Sequence, residues 1–466
     1  MRLTLAGVVA ATGGTVAEGA GLGPDTVFSA VSTDTRTLAA GSLFVALVGP
    51  RFDGHDHLAA ARDRGAVAAV VHREAPPLDL PAVRVPDTLV ALGALGRSVR
   101  CTLGLPVVAI TGSVGKTTTK EMTSAMVRAA GRKVLQTPGN WNNRVGLPLT
   151  LLGAAGDEQV AVLELGISEP GEMAHLTAIC EPDVAVVTAV ALAHTQWLGD
   201  LDGVAREKMA VADGLRPRGT LVLPFGDLRL VPPEGVRTVT FGWDPRADLC
   251  GEELRLQGAL GSRFRVEGHE LRVPLPGRHN AENALAALAA ARAVGVTWEE
   301  AAAGLAGLAP APLRGEIRAV GRNCHVLVDC YNANPRAVEA ALETLASLAG
   351  PSRRLAVLGE MKELGALTRE GHEQAGRAAA THGVDALYLL GEATAWTRDA
   401  AVAAGLPEAR VRRYPDREAL AREVAQDVRP GDWVLVKGSR AMGLEAVADA
   451  LCREPGTTDQ GPEVEG

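Results

Sequence analysis

The segment TGSVGKTTTKE (111–121) concentrates several groups able to grip a phosphate. It follows the apolar run LPVVAI (105–110), a strand pattern, and leads into a helical stretch reaching about Ala130. Gly112 and Gly115 let the backbone through Ser113 and Val114 curl so that successive N–H groups face an anion, with the positive end of the helix behind them. Lys116 then reaches the β- and γ-phosphates of a nucleotide as a point charge. Thr117, followed by Thr118, offers a hydroxyl to Mg²⁺. The loop is a shortened one, because the glycine that opens the usual P-loop would fall at Ile110.

Mg²⁺ on nucleotide phosphates requires hard oxygen ligands near the carboxyl ends of neighbouring strands. Glu164 closes the apolar run VAVLE, His194 closes DVAVVTAVALAH (183–194), and Lys208 follows in VAREKMAVADGL on a predicted helix. Each has a plainer alternative: Glu164 as a helix cap, His194 as a satisfied buried imidazole, Lys208 as a solvated helix lysine. Among 47 basic residues only Lys116, Lys120, Lys133, Lys208, Lys362 and Lys437 are lysines. An ammonium that can give up its proton is the property arginine lacks, which draws attention to Lys116, Lys208 and Lys437.

These groups must be held by a large α/β scaffold. The chain has 466 residues, 47% hydrophobic and 22% charged, with 53 glycines, enough for two to four domains. A net charge of −8 argues against a broad basic surface for nucleic acid. No apolar stretch approaches the roughly 20 residues that span a bilayer. The six scattered cysteines form no Cys-x-x-Cys pair, as suits a reducing cytosol. The opening MRLTLAGVVAAT reads as a first helix and not as a signal peptide.

Short strands at 43–48 and 67–71 and a helix over 58–64 predict a small α/β domain, residues 1–104. Buried strands at 105–110, 160–165 and 184–190, a β-rich stretch (219–223, 237–242, 263–273) and a helix over 281–291 predict a central mononucleotide-binding parallel-sheet domain, 105–312. Strands at 325–329, 354–358, 386–390 and 433–437 alternate with helices at 335–348, 369–382 and 416–427. That alternation predicts a Rossmann-like doubly wound domain, 313–452. The polar tail 453–466 reads as disordered.

STDTR (32–36), FVALVGPRFDGH (44–55), the phosphate loop, TPGNWNNRVGLPLTLL (137–152), LELG (163–166), PGRHNAENALAALAAA (276–291), DCYNANP (329–335), VLGEMKELG (357–365) and VLVKGSRAMGLE (434–445) together resemble the Mur ligase family over nearly the whole chain. YNANP with VLGEMKELG is similar to the branch that adds D-alanyl-D-alanine to UDP-N-acetylmuramoyl-tripeptide.

The resemblance implies an ATP-dependent amide ligase working through an acyl phosphate, with two Mg²⁺ ions, in the cytoplasm, as a monomer without membrane insertion. It implies metal ligation by Thr117, Glu164, His194 and Lys208, the last as a carbamate. Asn280 and Asn283 match residues beside adenine, while Arg314 and Asp329 match third-domain residues reaching the phosphates and the ribose. Ser32, Thr33, Asp34 and Arg36 match the uridine diphosphate loop, and Asn140, Asn142 and Asn143 are candidates for the muramoyl-peptide, or else a polar turn. Asn332, Asn334, Lys437 and Ser439 are candidates for the D-Ala-D-Ala side, weighed against a structural turn. Departures cluster around His194, at Ala189, Ala191, Thr195 and Gln196; Cys330 and Glu360 replace a common Ser and Asp. Another amino-acid- or glutamate-adding ligase, and a P-loop kinase or NTPase, are the competing readings.

Overall fold

The computed structural model describes residues 3–17, 21–72, 80–321 and 323–452; the tail predicted to be disordered lies outside them. Three β-sheets organise the chain into three α/β units. In the first, the strands run in spatial order Thr15–Val16, Ala82–Arg84, Ala68–Val71, Leu43–Val45 and Val31–Ser32, parallel except for the first pair. The predicted opening helix forms at Leu5–Thr12, capped by the Thr4 hydroxyl. A long helix over Thr88–Leu103, absent from the sequence reading, starts at the Asp87 cap and lays Ala91, Leu92 and Leu95 into this unit's core.

Seven parallel strands form the central sheet, in the order Val134–Gln136, Val160–Glu164, Val107–Thr111, Val184–Val187, Thr220–Pro224, Arg237–Gly242 and Leu249–Cys250. Both faces are covered, which is why VVAIT, VAVLE and VAVV are apolar at nearly every position. One cover is the helix Arg278–Ala293, whose alanines from Ala284 to Ala291 are almost all buried and let it lie close to the sheet. It begins three residues earlier than predicted. The apolar run after Val184 stops being a strand at Val187. Beyond it the backbone is recruited by the phosphate loop: the Thr188 hydroxyl donates to Val114 O (2.5 Å), and Ser113 N donates to Ala189 O (2.8 Å). A separate three-stranded antiparallel sheet spans Glu252–Leu256, Ser262–Val266 and His269–Val273.

The third sheet runs Glu316–Val320, Cys324–Val328, Trp433–Lys437, Arg354–Gly359, Ala386–Leu390 and Val411–Tyr414, parallel apart from its antiparallel first strand. Its helix Pro335–Ala349 has Asn334 as N-cap, accepting from Ala337 N at 2.9 Å, and Pro335 in the first turn, where a missing N–H costs nothing. The third unit is docked on the central one. The segment 363–365 lies against the short helix Thr195–Leu198: Gln196 N donates to Glu363 O (3.1 Å) and the Thr195 hydroxyl to Leu364 O (2.9 Å). Leu192 of the central unit is buried in the third unit's core.

Candidate active site

Parallel register puts Ile110 beside Glu164 and Thr111 beside Val187, so the phosphate loop and the Glu164 carboxylate emerge together at the carboxyl end of the central sheet. Gly112 (φ 148°) and Gly115 (φ 83°) hold conformations that other residues disfavour, and a Cβ at Gly115 would run into the Asn283 side chain. The helix Lys116–Ala129 starts at once, directing its free N–H groups toward the loop. Lys116 Nζ folds back to Gly112 O at 2.7 Å. Burial holds the Lys116 ammonium below the usual lysine pKa; Glu164 opposes this, and Arg314 of the third unit adds to the lowering. Two cations from different units therefore face one small volume.

Glu164 is 2% exposed. Its carboxylate accepts from the Thr117 hydroxyl and from Asn142 Nδ2, both at 2.8 Å, while its N–H donates to the Thr137 hydroxyl at 2.9 Å. Behind it lies Lys120, 1% exposed, donating to Thr137 O (2.9 Å) and standing 3.1 Å from Glu121 and 3.9 Å from Glu164. Thr117 and Glu164 offer adjacent hard oxygens of the kind a divalent cation takes. Among the described residues no three His, Cys, Asp or Glu side chains gather into a ready cage.

Lys208, on the helix Leu201–Met209, is 1% exposed, and its ammonium has no hydrogen-bond partner among the described residues. Burial pushes it well below the ordinary lysine pKa, Lys116 adding to the effect and Glu207 opposing it. It does not line the cleft described next. His194 has a left-handed backbone (φ 58°), and its Nδ1 lies 2.7 Å from Glu363 Oε2 of the third unit, an ion-pair distance at an angle poor for a hydrogen bond. This contact, between residues far apart in sequence, was invisible to the sequence reading.

A cleft of ≈ 780 Å³ joins these parts. Of the predicted residues, the loop from Ser113 to Thr118, Asn140, Asn142, Asn143, Glu164, His194, Asn280, Asn283, Arg314, Asp329, Asn332, Asn334, Lys437 and Ser439 all line it. Several are committed locally. Asn143 Oδ1 accepts from Val145 N and Gly146 N, the polar-turn alternative, and Asn280 Nδ2 donates to Pro276 O at 2.7 Å. Lys437, 2% exposed, donates to Asp329 Oδ2 (2.6 Å), Asp329 O and Asn332 O, clamping the 329–332 loop. The Ser439 hydroxyl accepts from Lys362 N. Ser32, Thr33, Asp34 and Arg36 do not line the cleft. There the Arg36 guanidinium grips Asp34 in a fork and draws its carboxyl pKa down to about 2.

The cleft also contains groups the sequence reading passed over. Pro224, Phe225, Phe241 and Trp243 give it an apolar, aromatic end suited to a nucleobase; their signal was PFG and FGW at the ends of consecutive strands. Across it, the Arg314 guanidinium sits over the ring of Tyr331. His279 faces Asp329 and Lys437; burial lowers its pKa, Asp329 opposing and Lys437 adding. The arrangement can hold a nucleoside triphosphate with its base at the aromatic end and its phosphates between Lys116 and Arg314.

Comparisons with known proteins agree. Residues 27–99 match the Mur ligase family catalytic domain, 110–291 the Mur ligase middle domain, and 314–440 the Mur ligase glutamate ligase domain. Two proteins named UDP-N-acetylmuramoyl-tripeptide--D-alanyl-D-alanine ligase are similar over most of their length. That of Bacillus subtilis is 35% identical, covering 92% of this chain and 94% of its own. That of Escherichia coli is 37% identical, covering 93% and 96%. The solved structure of MurF ligase from Thermotoga maritima in complex with ADP superposes with a TM-score of 0.82 at 30% identity, covering 91% of this chain and 97% of that one. On sequence and on three-unit architecture alike, this chain belongs to the Mur ligase family.

Proposed function

We propose that this protein joins D-alanyl-D-alanine to the terminal carboxylate of UDP-N-acetylmuramoyl-tripeptide at the cost of ATP, making the pentapeptide precursor of peptidoglycan in the cytoplasm. The observation that carries this is the convergence of Lys116 and Arg314, from two units, on one cleft, close enough for the Arg314 charge to lower the Lys116 pKa. Full-length similarity to ligases of that name supplies the substrates. In this reading residues 1–104 take the UDP end through Ser32, Thr33, Asp34 and Arg36, residues 105–312 hold ATP, and 313–452 close over it and present the dipeptide. The enzyme acts as a monomer.

A carboxylate resists amines because its leaving group would be oxide. One of its oxygens attacks the γ-phosphorus of ATP, the bond to the β,γ-bridging oxygen breaks, and ADP departs from an acyl phosphate. Lys116 and Arg314 stabilise the charge that spreads over the transferring phosphoryl oxygens. The dipeptide amine then adds to the acyl carbon, loses a proton, and the tetrahedral intermediate expels phosphate. The docking of 363–365 on 195–198 keeps water from the acyl phosphate. Lys437 acts through the loop it clamps, shaping the wall that carries Asp329 and Asn332.

Thr117 and Glu164 would hold a Mg²⁺ ion, which when bound neutralises phosphate charge. His194 and a carbamate on Lys208 would hold a second. The buried Lys208 amine fits that modification: unprotonated, it bonds to the carbon of CO₂ and releases one proton, leaving an anionic oxygen donor.

With purified protein, phosphate release should require ATP, Mg²⁺, UDP-muramoyl-tripeptide and D-Ala-D-Ala together, and ¹⁸O in the tripeptide carboxylate should appear in the phosphate. Rapid ATP hydrolysis without the UDP substrate, or unlabelled phosphate, would overturn the proposal.

A further inference from the structure

The Arg314 guanidinium makes no ion pair and no side-chain hydrogen bond among the described residues. What holds it is the face of Tyr331, with the guanidinium carbon 4.0 Å from the ring centroid. The backbone brings the two together. Leu313, with φ 61°, turns the chain sharply just before Arg314, and its carbonyl accepts from Tyr331 N at 3.2 Å. Arg314 N in turn donates to Ala311 O at 3.1 Å, closing the turn. An unbranched cation on a rotatable stem would sample many directions, and an ion pair would consume the donors that phosphate oxygens need. An aromatic face restrains the guanidinium plane and leaves its edge N–H groups free.

We infer that Tyr331 is a positioning residue, a platform that aims Arg314 at the nucleotide phosphates opposite Lys116. This rests on the phosphate role proposed for Arg314. The ring matters and the hydroxyl does not, so Tyr331→Leu should lose what Tyr331→Phe restores.

The test is a double-substitution cycle on the full chain, reading the affinity of β,γ-imido-ATP by calorimetry, alongside kcat and the affinity for UDP-muramoyl-tripeptide. Tyr331→Leu should weaken the analogue about 3- to 30-fold, the range of a cation–π contact from exposed to desolvated, and lower kcat. It should leave UDP-substrate affinity and the melting temperature near wild type, and Tyr331→Phe should recover most of the loss. In an Arg314→Ala background, Tyr331→Leu should cost nothing further. An equal cost in both backgrounds would mean that Tyr331 acts on the nucleotide or the fold directly and would overturn the inference; so would wild-type affinity in Tyr331→Leu. If Arg314→Ala alone left analogue binding intact, the phosphate role of Arg314 would fail as well, a result distinct from loss of coupling.

Discussion

Lys120→Met removes an ammonium on which three groups of the central unit converge. Thr137 O accepts from it at 2.9 Å, Glu121 stands at 3.1 Å and Glu164 at 3.9 Å, with Lys120 and Glu164 exposed by only 1% and 2%. Methionine preserves the stem's volume, so the change is almost purely one of charge. Deleting one partner of a buried pair costs about 3–5 kcal/mol, because the partner stays buried without compensation. Glu164 keeps two hydrogen-bond donors, Thr117 and Asn142, and Glu121 is a third exposed and holds Gln136, so the lower end applies, about 3 kcal/mol. At about 2–4 °C per kcal/mol for a domain of this size, the melting transition that includes the central unit should fall by about 6–12 °C. On the cation-holding role proposed for Glu164, loss of this support from behind should also lower turnover by about 10–100-fold, the usual cost of removing support from a metal-binding side chain. Calorimetry with per-transition analysis and initial-rate assays read the two effects. A melting temperature within 2 °C of wild type with intact turnover would refute the view that Lys120 anchors Glu164.

Lys208→Ala should abolish ligation while leaving the melting profile close to wild type, and partial recovery with added small carboxylates would mark the missing group as an anionic oxygen donor; full activity in the variant would exclude that role. His372 bears on the third unit's response to acid. It is 1% exposed, Nε2 accepts from Met361 N, Nδ1 meets the Thr397 hydroxyl, and burial lowers its pKa to about 4. Unfolded, it takes a proton near pH 6.5. Between those values the unfolded chain binds more protons than the folded one, so stability falls as pH drops from about 6.5 to about 4, by up to about 3 kcal/mol at about 1.4 kcal/mol per pH unit. A His372→Gln variant should flatten that part of the stability–pH curve, and an unchanged slope would remove His372 as its source.

How much of this could be read from residues alone depended on whether the determining interactions were local. The strand–turn–helix at 107–129 was legible because its glycines, Lys116 and Thr117 act within one turn of each other. Ala386–Leu390 and Trp433–Lys437 were legible because central parallel strands are apolar on both faces. Edge strands escaped: EIRAV at 316–320 and VRRY at 411–414 carry charges that keep an open sheet edge from pairing, and those charges erase the apolar run. The helix Trp298–Ala306 leaves a local mark in the sequence, the Thr297/Glu300 capping box. In the site, residue types were legible and their partners were not. Lys120 reads as one more helix lysine until register sets Glu164 beside the phosphate loop. Lys437 reads equally as a contact on the dipeptide side or as part of a structural turn, and its bonds to Asp329 and Asn332, made across the sheet, could not be read from the sequence. Tyr331 and Arg314 lie on separate segments whose meeting depends on the turn at Leu313. A charged side chain thus announces that an electrostatic task exists, while the sheet order decides whether that task is met by substrate or by a neighbour. Among the described residues the Arg314 guanidinium has no carboxylate, hydroxyl or carbonyl partner, and the ring beneath it is where sequence-level reasoning had least to say.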